Sequence, residues 1–281
     1  MGQIKRRQYA AINETFRYFP FEYFLDVQKN LQVESVELWV GPPHIIATDS
    51  RHQDGKSIRN LVEARGMKIA ACTLEYSPWR QYYFCSHDPL ARDRSIAQFK
   101  QVIDFTAEAG ANILVFNCAG GVLDESPAET RSRAVQALRI LADYASEKNV
   151  TLAAESLPSY AGNITNTIDE LRSLLADVHH PALKVCLNTE AMCCAGETIS
   201  QWFDTFGTQI VHVHFSDGKP SGRPVWGEGL FPLDSFLQEL RDHQYPWYLG
   251  MNYANHYLDP ADAAARNYST FVPFFDEGEC V

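Results

Sequence analysis

The stretch that most constrains the fold is IVHVHFSD at residues 210–217, a short apolar run that is followed at once by turn-forming residues. Such a run is typical of a buried β-strand. Successive side chains alternate between the faces of a strand, so we expect His212 and His214 on one face, and Val211, Val213 and Phe215 on the other. The pattern predicts a barrel wall that is apolar towards helices and polar towards a site. Hydrogen-bonded core histidines and histidines with a metal or catalytic role both agree with it.

The rest of the chain alternates strand-like and helix-like segments with little between them. The predicted strands lie at 8–15, 35–40, 68–75, 112–117, 151–157, 183–189, 210–217 and 247–252. The predicted helices lie at 21–31, 57–65, 91–109, from Ser126-Pro127 onward, and at 167–178, 197–206, 232–243 and 260–274. Eight such alternations favour one (β/α)8 TIM barrel domain over residues 1–281. A doubly wound sheet is the competing fold, but no glycine-rich phosphate-binding motif follows any of the strands.

The net charge and the cysteine content of the chain indicate which kinds of partner and compartment to expect. The formal net charge of −11 argues against a protein that binds nucleic acid through its phosphates. A small neutral or cationic ligand agrees better with this charge. The seven cysteines form no CxxC pair, which is typical of reduced thiols in a cytoplasmic protein. No stretch is long and apolar enough to predict a membrane span.

In a barrel of this type, chemistry takes place where the strands end. The polar residues at the predicted strand ends are His44, Glu75, Asn117, Glu155, Asn188, His214 and Asn252. By strand alternation, Glu155, Asn188 and Asn252 face the barrel interior, as His214 does. We therefore expect four side chains from strands five to eight to converge. A carboxylate, an imidazole and amide oxygens can together hold a divalent cation.

Five segments, taken in their order and spacing, carry a resemblance to a known family. They are VELWVGPPH at 36–44, TLEYSPW at 73–79, AAESLPSYAGNITNTIDEL at 153–171, HVHFSDG at 212–218 and GEG at 227–229. The chain resembles the xylose isomerase-like barrel superfamily of sugar isomerases and epimerases. Within it, the chain looks most like the ketose 3-epimerase and fructoselysine 3-epimerase branch. The resemblance implies carbohydrate metabolism, a sugar substrate and a homo-oligomer, either a dimer or a tetramer.

The resemblance also implies a site for a divalent metal ion such as Mn, Mg, Co or Zn. In the family the ligands are a glutamate, an aspartate, a histidine and a second glutamate. Those places are occupied here by Glu155, Asn188, His214 and Asn252. Two carboxylates are thus amides, and the loss of two negative charges weakens metal binding.

The two family glutamates are also its catalytic acid–base pair, at the positions of Glu155 and Asn252. The implied reaction removes a proton next to the substrate carbonyl and passes through an enediolate. An amide has no useful basicity near neutral pH, so Asn252 cannot be the second base. Candidate replacements are Glu75, Glu190, Asp217 and Glu228. One-base transfer by Glu155 alone is sufficient for an aldose–ketose isomerisation.

Further substrate-binding residues are expected around these strand ends. They are His44, Glu75, His212, Asp217, Arg223 and Glu228. The competing interpretation of each of these residues is that it lies in a loop or in the core and does not contact substrate.

Two other functions remain open at the level of sequence. One is a barrel that has lost its metal chemistry and binds a sugar-like ligand without converting it. A metal-dependent phosphodiesterase of the endonuclease IV type shares the expected fold. That type requires a cluster of histidines and carboxylates and a basic groove, which this acidic chain does not show.

Overall fold

A computed structural model describes residues 3–47, 53–74, 84–117, 120, 124–254 and 256–276. Eight parallel strands close into a barrel in chain order, and the first strand pairs with both the second and the eighth. The predicted (β/α)8 barrel is confirmed. The barrel brings the carboxyl ends of all eight strands to one face, where the candidate site lies.

The strands lie close to their predicted positions. They are β1 Tyr9–Ile12, β2 Ser35–Val40, β3 Lys68–Leu74, β4 Ile113–Asn117, β5 Thr151–Glu155, β6 Leu183–Asn188, β7 Ile210–Phe215 and β8 Leu249–Met251. The first and last strands are shorter than predicted. The chain leaves β1 through a 3-10 turn at Asn13–Phe16, which turns it over the end of the barrel.

The helices surround the barrel. They are α1 Phe21–Asn30, α2 Gly55–Glu63, α3 Pro89–Glu108, α4 Pro127–Glu147, α5 Ile168–Val178, α6 Thr189–Cys194, α7 Ile199–Phe206, α8 Leu233–Asp242 and α9 Pro260–Phe271. Ser126 caps α4 as the serine–proline pair predicts, and its side chain accepts a hydrogen bond from the amide of Ala128. The short helix α6 was not predicted. In the described part of the chain, no helix has the length and apolar character that crossing a membrane requires.

The barrel wall separates two apolar cores. The larger one lies between strands and helices and contains Val213 and Phe215 of β7. The smaller one lies inside the barrel and consists of Ala71, Ile113, Val115, Ala153 and Cys186, with Val211 packed against it. The cysteines at 72, 85, 186, 193 and 194 are free thiols.

The expected orientation of Val211 was wrong. Val185 of β6 pairs with Ile210, and the next pair is Cys186 with His212, so β7 contains one extra residue at this point. A bulge of this kind changes the facing of the residue it inserts. Val211 consequently packs inside the barrel, and regular alternation resumes at His212.

Polar groups fill the barrel above the small apolar cluster. Glu37 and His212 are fully buried there, and their side chains are hydrogen-bonded to each other at 2.7 Å. Gly250 of β8 provides the room for this pair. A Cβ atom at position 250 would collide with Oε2 of Glu37 and lie 3.0 Å from Nε2 of His212.

Replacing this glycine tests whether the buried polar pair is part of what stabilises the fold. We expect Gly250→Ala to lower the free energy of unfolding by roughly 1–3 kcal/mol, because the new methyl group overpacks the barrel. Gly162→Ala is the matched control, since its Cβ would lie 3.4 Å from a Leu157 side-chain atom. The measurement is urea denaturation of both variants, and equal losses in the two would contradict the expectation.

Candidate active site

A cavity of about 310 Å³ opens at the carboxyl end of the barrel. The strand-end residues Glu155, Asn188, His214 and Asn252 all line it. The convergence expected from strand alternation is therefore present, while the roles of these residues remain predictions. Glu14, Trp39, Thr73, Asn117, Glu190, Arg223 and Tyr257 line the same cavity.

Glu155, the last residue of β5, lies at the centre of the polar contacts. Its Oε1 atom accepts hydrogen bonds from Nδ2 of Asn188 at 2.6 Å and from Nδ1 of His214 at 2.5 Å. Both donors are on the same oxygen. Oε2 is therefore the carboxylate oxygen that the described residues leave for a ligand in the cavity.

His214 is held between two carboxylates. Its second ring nitrogen, Nε2, lies 2.8 Å from Oε1 of Glu37 on β2. Burial on its own lowers the pKa of His214, but the charges and hydrogen bonds of Glu155 and Glu37 outweigh burial and raise the pKa to about 10. The ring is thus an imidazolium at neutral pH that donates from both nitrogens.

Glu37 connects this imidazolium to the barrel interior. Its other oxygen accepts from His212, and the hydroxyl of Thr73 donates to Oε1. Burial raises the pKa of Glu37, but His212 and His214 outweigh it and hold the pKa well below the usual range. Glu37 is therefore a carboxylate with its charge balanced inside the barrel.

The two asparagines at family carboxylate positions have fixed orientations. Oδ1 of Asn188 accepts from the amide of Ala191 at 3.0 Å and caps α6, so its NH2 group is directed at Glu155. Oδ1 of Asn252 accepts from Nη1 of Arg223. Rotating either amide by 180° would place NH groups against these donors.

Arg223 brings a positive charge to the cavity wall. Its guanidinium lies 3.7 Å from a carboxylate oxygen of Glu14 and 3.8 Å from one of Glu190. Burial lowers the pKa of Arg223, but Glu14, Glu190 and Glu155 outweigh it and raise the pKa further. Glu190 also accepts a hydrogen bond from the Tyr160 hydroxyl at 3.0 Å.

Three other residues expected to bind substrate do not belong to the described lining of the cavity. His212 lies beneath it, bonded to Glu37. His44 is buried, with ring nitrogens 3.0 Å from Nδ2 of Asn13 and 2.7 Å from the carbonyl of Phe19. Glu228 is paired with Arg266 at the surface. Glu75 lies outside the described residues.

Asp217 is likewise apart from the cavity wall. Its carboxylate accepts hydrogen bonds from the backbone amides of Gly218, Gly227, Gly229 and Phe231, at 2.8–3.0 Å. These contacts organise the loop after β7. A substrate-binding role for Asp217, as for the residues above, remains a prediction.

Glu37 and Glu14 were not among the site residues predicted from the sequence. Glu37 occupies an interior position of the apolar strand SVELWV, and a carboxylate in such a strand is a signal for a buried charge network. Glu14 lies in the 3-10 turn after β1, in a segment that was predicted as strand. No signal in that segment distinguishes it from a surface glutamate.

Among the residues that the structure describes, two groups of buried side chains have metal-ligand atoms within 4.8 Å of one another. They are Glu37, His212 and His214, and Glu155, Cys186 and His214. In the first group the atoms are hydrogen-bonded to each other at 2.7–2.8 Å. In the second, burial raises the pKa of the Cys186 thiol well above its usual value, which keeps the thiol protonated.

The four family positions do not fit a divalent cation either. Both amide oxygens accept hydrogen bonds from the protein, and both nitrogens of His214 face carboxylates. Glu155 and His214 are hydrogen-bonded directly to each other at 2.5 Å. The arrangement is that of a hydrogen-bonded network.

The sequence profile of the Xylose isomerase-like TIM barrel family matches residues 25–271, and the chain belongs to this family. The fructoselysine 3-epimerase of Shigella flexneri is 26% identical over 249 residues, covering 88% of this chain and 90% of the relative. The D-psicose 3-epimerase of Enterocloster bolteae is 27% identical over 240 residues, covering 82% and 77%. The expected family and branch are thereby confirmed.

Solved structures agree on the fold. The D-allulose 3-epimerase from Methylomonas sp., in complex with D-allulose, superposes with a TM-score of 0.79 at 19% identity and covers 97% of this chain and 98% of its own. The 3-keto-D-glucoside 4-epimerase from E. coli gives 0.75 at 19% identity, covering 95% and 98%.

The charge on His214 predicts a loss of stability in alkali. Because its folded-state pKa of about 10 exceeds the ordinary value of 6.5, its stabilising contribution is complete below about pH 6.5 and is lost as the pH rises through about 10. We expect the free energy of unfolding to fall by roughly 3 kcal/mol between pH 7 and 10.

Urea denaturation across this pH range measures the effect. His214→Gln should remove most of the pH dependence, whereas His87→Gln, a change at an exposed histidine, should retain it. A His214→Gln curve parallel to that of the wild type would show that His214 is not the titrating group.

Proposed function

We propose that the protein is a sugar epimerase or isomerase that acts on a ketose or a ketose-derived substrate. The observation that carries this proposal is the position of Glu155, a carboxylate at the end of β5 with one oxygen bonded to Asn188 and His214 and the other left for a ligand. Relatives that align over most of the chain are named as sugar 3-epimerases, which supports the same chemistry.

In this proposal, Glu155 removes a proton from the carbon next to the substrate carbonyl. The donors on Oε1 hold the carboxylate in place and stabilise its negative charge, so Oε2 is oriented before the substrate binds. The electron pair of the broken C–H bond moves into an enediolate. Return of the proton to the neighbouring carbon by Glu155 gives the isomerase outcome.

Epimerisation requires a proton from the opposite face of the substrate. Asn252 cannot provide it, because an amide is not an acid in this range. Among the described carboxylates, Glu14 and Glu190 line the cavity, whereas Asp217 and Glu228 do not. Glu190, which Tyr160 and Arg223 contact, is therefore our proposed second acid–base group.

The polar lining agrees with a polyhydroxylated ligand. Oδ1 of Asn117 is buried and has no hydrogen-bond partner among the described residues, although Asn117 lines the cavity. An unpaired buried acceptor is costly, and a substrate hydroxyl would satisfy it.

Loss of the proposed base provides the direct test. We expect Glu155→Gln to lower the rate of solvent-deuterium incorporation into the reactive ketose roughly 10²–10⁴-fold, as removal of a general base does. The measurement is NMR of a ketose panel in deuterated water. Glu147→Gln, a change at an exposed position of α4, should leave the rate unchanged. Undiminished exchange in Glu155→Gln would exclude Glu155 as the base.

The charges of the cavity predict a preference against phosphorylated sugars. Glu14, Glu155 and Glu190 contribute three carboxylates to the described lining, against the cations of Arg223 and His214. A dianionic phosphate adds repulsion there. We expect kcat/KM for a free ketose to exceed that for its phosphate ester at least roughly tenfold, a difference of about 1.4 kcal/mol. Equal values in matched assays would contradict this preference.

The position of Asn252 favours one alternative function, a barrel that binds a sugar without converting it. In that case no ketose in the panel would exchange its proton, yet calorimetry would detect saturable binding. Exchange that depends on Glu155 supports the enzyme instead.

A further inference from the structure

We infer that this site operates without a divalent cation and that the guanidinium of Arg223 provides the positive charge that faces the substrate oxygens. The second part of the inference rests on the proposed function. The first part concerns only what the site binds and is independent of it.

The two amides that replace family carboxylates have their oxygens engaged within the protein. A metal ligand must direct an oxygen at the ion, but Oδ1 of Asn188 is committed to the Ala191 amide and Oδ1 of Asn252 to Arg223. Turning Asn188 would also uncap α6. Both side chains therefore contribute N–H groups to the cavity, and N–H groups repel cations.

Both ring nitrogens of His214 contact carboxylates of the protein. An imidazole binds a metal through a nitrogen that carries no proton. Here Nδ1 lies 2.5 Å from Glu155 and Nε2 lies 2.8 Å from Glu37. Each ring nitrogen is therefore directed at a carboxylate oxygen of the protein, and an ion would have to displace one of these contacts to bind there.

Arg223 places a guanidinium in the cavity wall. Its guanidinium is bonded to Asn252, at the eighth-strand position of the family ligand set, and lines the cavity. It thus brings a fixed cation to the place where a negative ligand is missing. Its ion pairs with Glu14 and Glu190 are 3.7 and 3.8 Å long, beyond hydrogen-bond distance. In the described part of the chain, Asn252 is its one hydrogen-bond acceptor, so further N–H groups are left for a ligand.

A divalent ion at the family position would have Glu155 as the one carboxylate among its four ligand positions, and it would meet the guanidinium of Arg223 bonded to Asn252. A planar guanidinium can instead donate two parallel hydrogen bonds to neighbouring oxygens.

The chemistry remains balanced in this arrangement. Glu155 accepts the proton from carbon, the electron pair of the C–H bond forms the C=C bond of the enediolate, and the carbonyl π pair moves onto oxygen; Arg223 keeps all its protons while it donates hydrogen bonds to that oxyanion. Return of the proton by Glu155 regenerates its carboxylate. When Glu190 in its protonated form supplies the proton from the opposite face, Glu155 releases its proton to solvent and Glu190 takes one up before the next turnover. No co-reactant is needed.

Titration with manganese(II) chloride tests the first part without reference to turnover. We expect isothermal calorimetry of the chelator-treated wild type to show no stoichiometric Mn²⁺ binding up to millimolar concentration. Asn188→Asp/Asn252→Glu, which restores both carboxylates, should gain one Mn²⁺ site. The control Asn30→Asp/Asn112→Asp adds the same two charges at exposed asparagines and should gain none.

A wild-type protein that binds one equivalent of Mn²⁺ with micromolar affinity would overturn the metal-free site. This wild-type titration tests the metal-free site even if the Asn188→Asp/Asn252→Glu variant does not fold. Circular dichroism of each variant shows whether it is folded.

Proton exchange tests the second part. We expect the wild-type rate in deuterated water to be unchanged by chelator and by added Mn²⁺. Arg223→Gln should lower kcat at least roughly 100-fold, as loss of an oxyanion donor does, and Arg223→Lys should restore part of it. Arg241→Gln, a surface change on α8, should have no effect.

Two results would refute the role of Arg223. One is an Arg223→Gln variant that exchanges the substrate proton at the wild-type rate, and the other is a wild-type exchange reaction that requires Mn²⁺. A wild-type protein that exchanges no ketose would refute the proposed function itself. The manganese titration would still decide whether the site is free of metal, so the two failures are distinguishable.

Discussion

The interaction on which the site depends is the imidazolium of His214 held between two buried carboxylates. Glu37 and Glu155 come from β2 and β5, and His214 comes from β7. None of these charges is tolerable alone inside a barrel, because burial penalises each charged form. Together they bridge three separate strands, which couples closure of the barrel to the placement of Glu155 in the cavity.

The amides of Asn188 and Asn252 agree with this arrangement of charges. His214 contacts one carboxylate through each ring nitrogen, so the site has less negative charge to offer a metal ion. Asn188 adds a neutral donor to Glu155, and Asn252 accepts from a guanidinium. Asn188 thus uses both of its polar ends, one as donor and one as acceptor, in a way that an ionised carboxylate cannot.

The sequence predicts the barrel because the alternation of strand and helix repeats over the whole chain. It also predicts that Glu155 and His214 converge, since both depend only on strand alternation and on strand ends sharing one face. Val211 departs from the rule because a bulge inserts it, and α6 is missed because Asn188 both ends β6 and caps the helix. Such local irregularities leave no periodic signal.

Loop residues were the least predictable for a related reason. Asp217 and Arg223 follow the same strand, and the sequence does not distinguish which of these two polar loop residues faces the cavity. The structure separates them, because Asp217 accepts four backbone amides and fixes the loop, whereas Arg223 reaches the cavity. Which polar residue turns inward depends on backbone geometry over a dozen residues, and no short-range pattern encodes it.

The two loop residues are nevertheless physically connected. Gly229 allows the loop to approach Asp217 closely, since a Cβ there would collide with the carboxylate. The carbonyl of Arg223 accepts from the amide of Ala254 at 2.9 Å, which ties the loop to the chain after β8. The backbone of Arg223 is therefore fixed on both sides before any ligand enters. In the mechanism that we propose, a cation held in this way needs little reorganisation when charge develops on a substrate oxygen, which is the property that an oxyanion site requires.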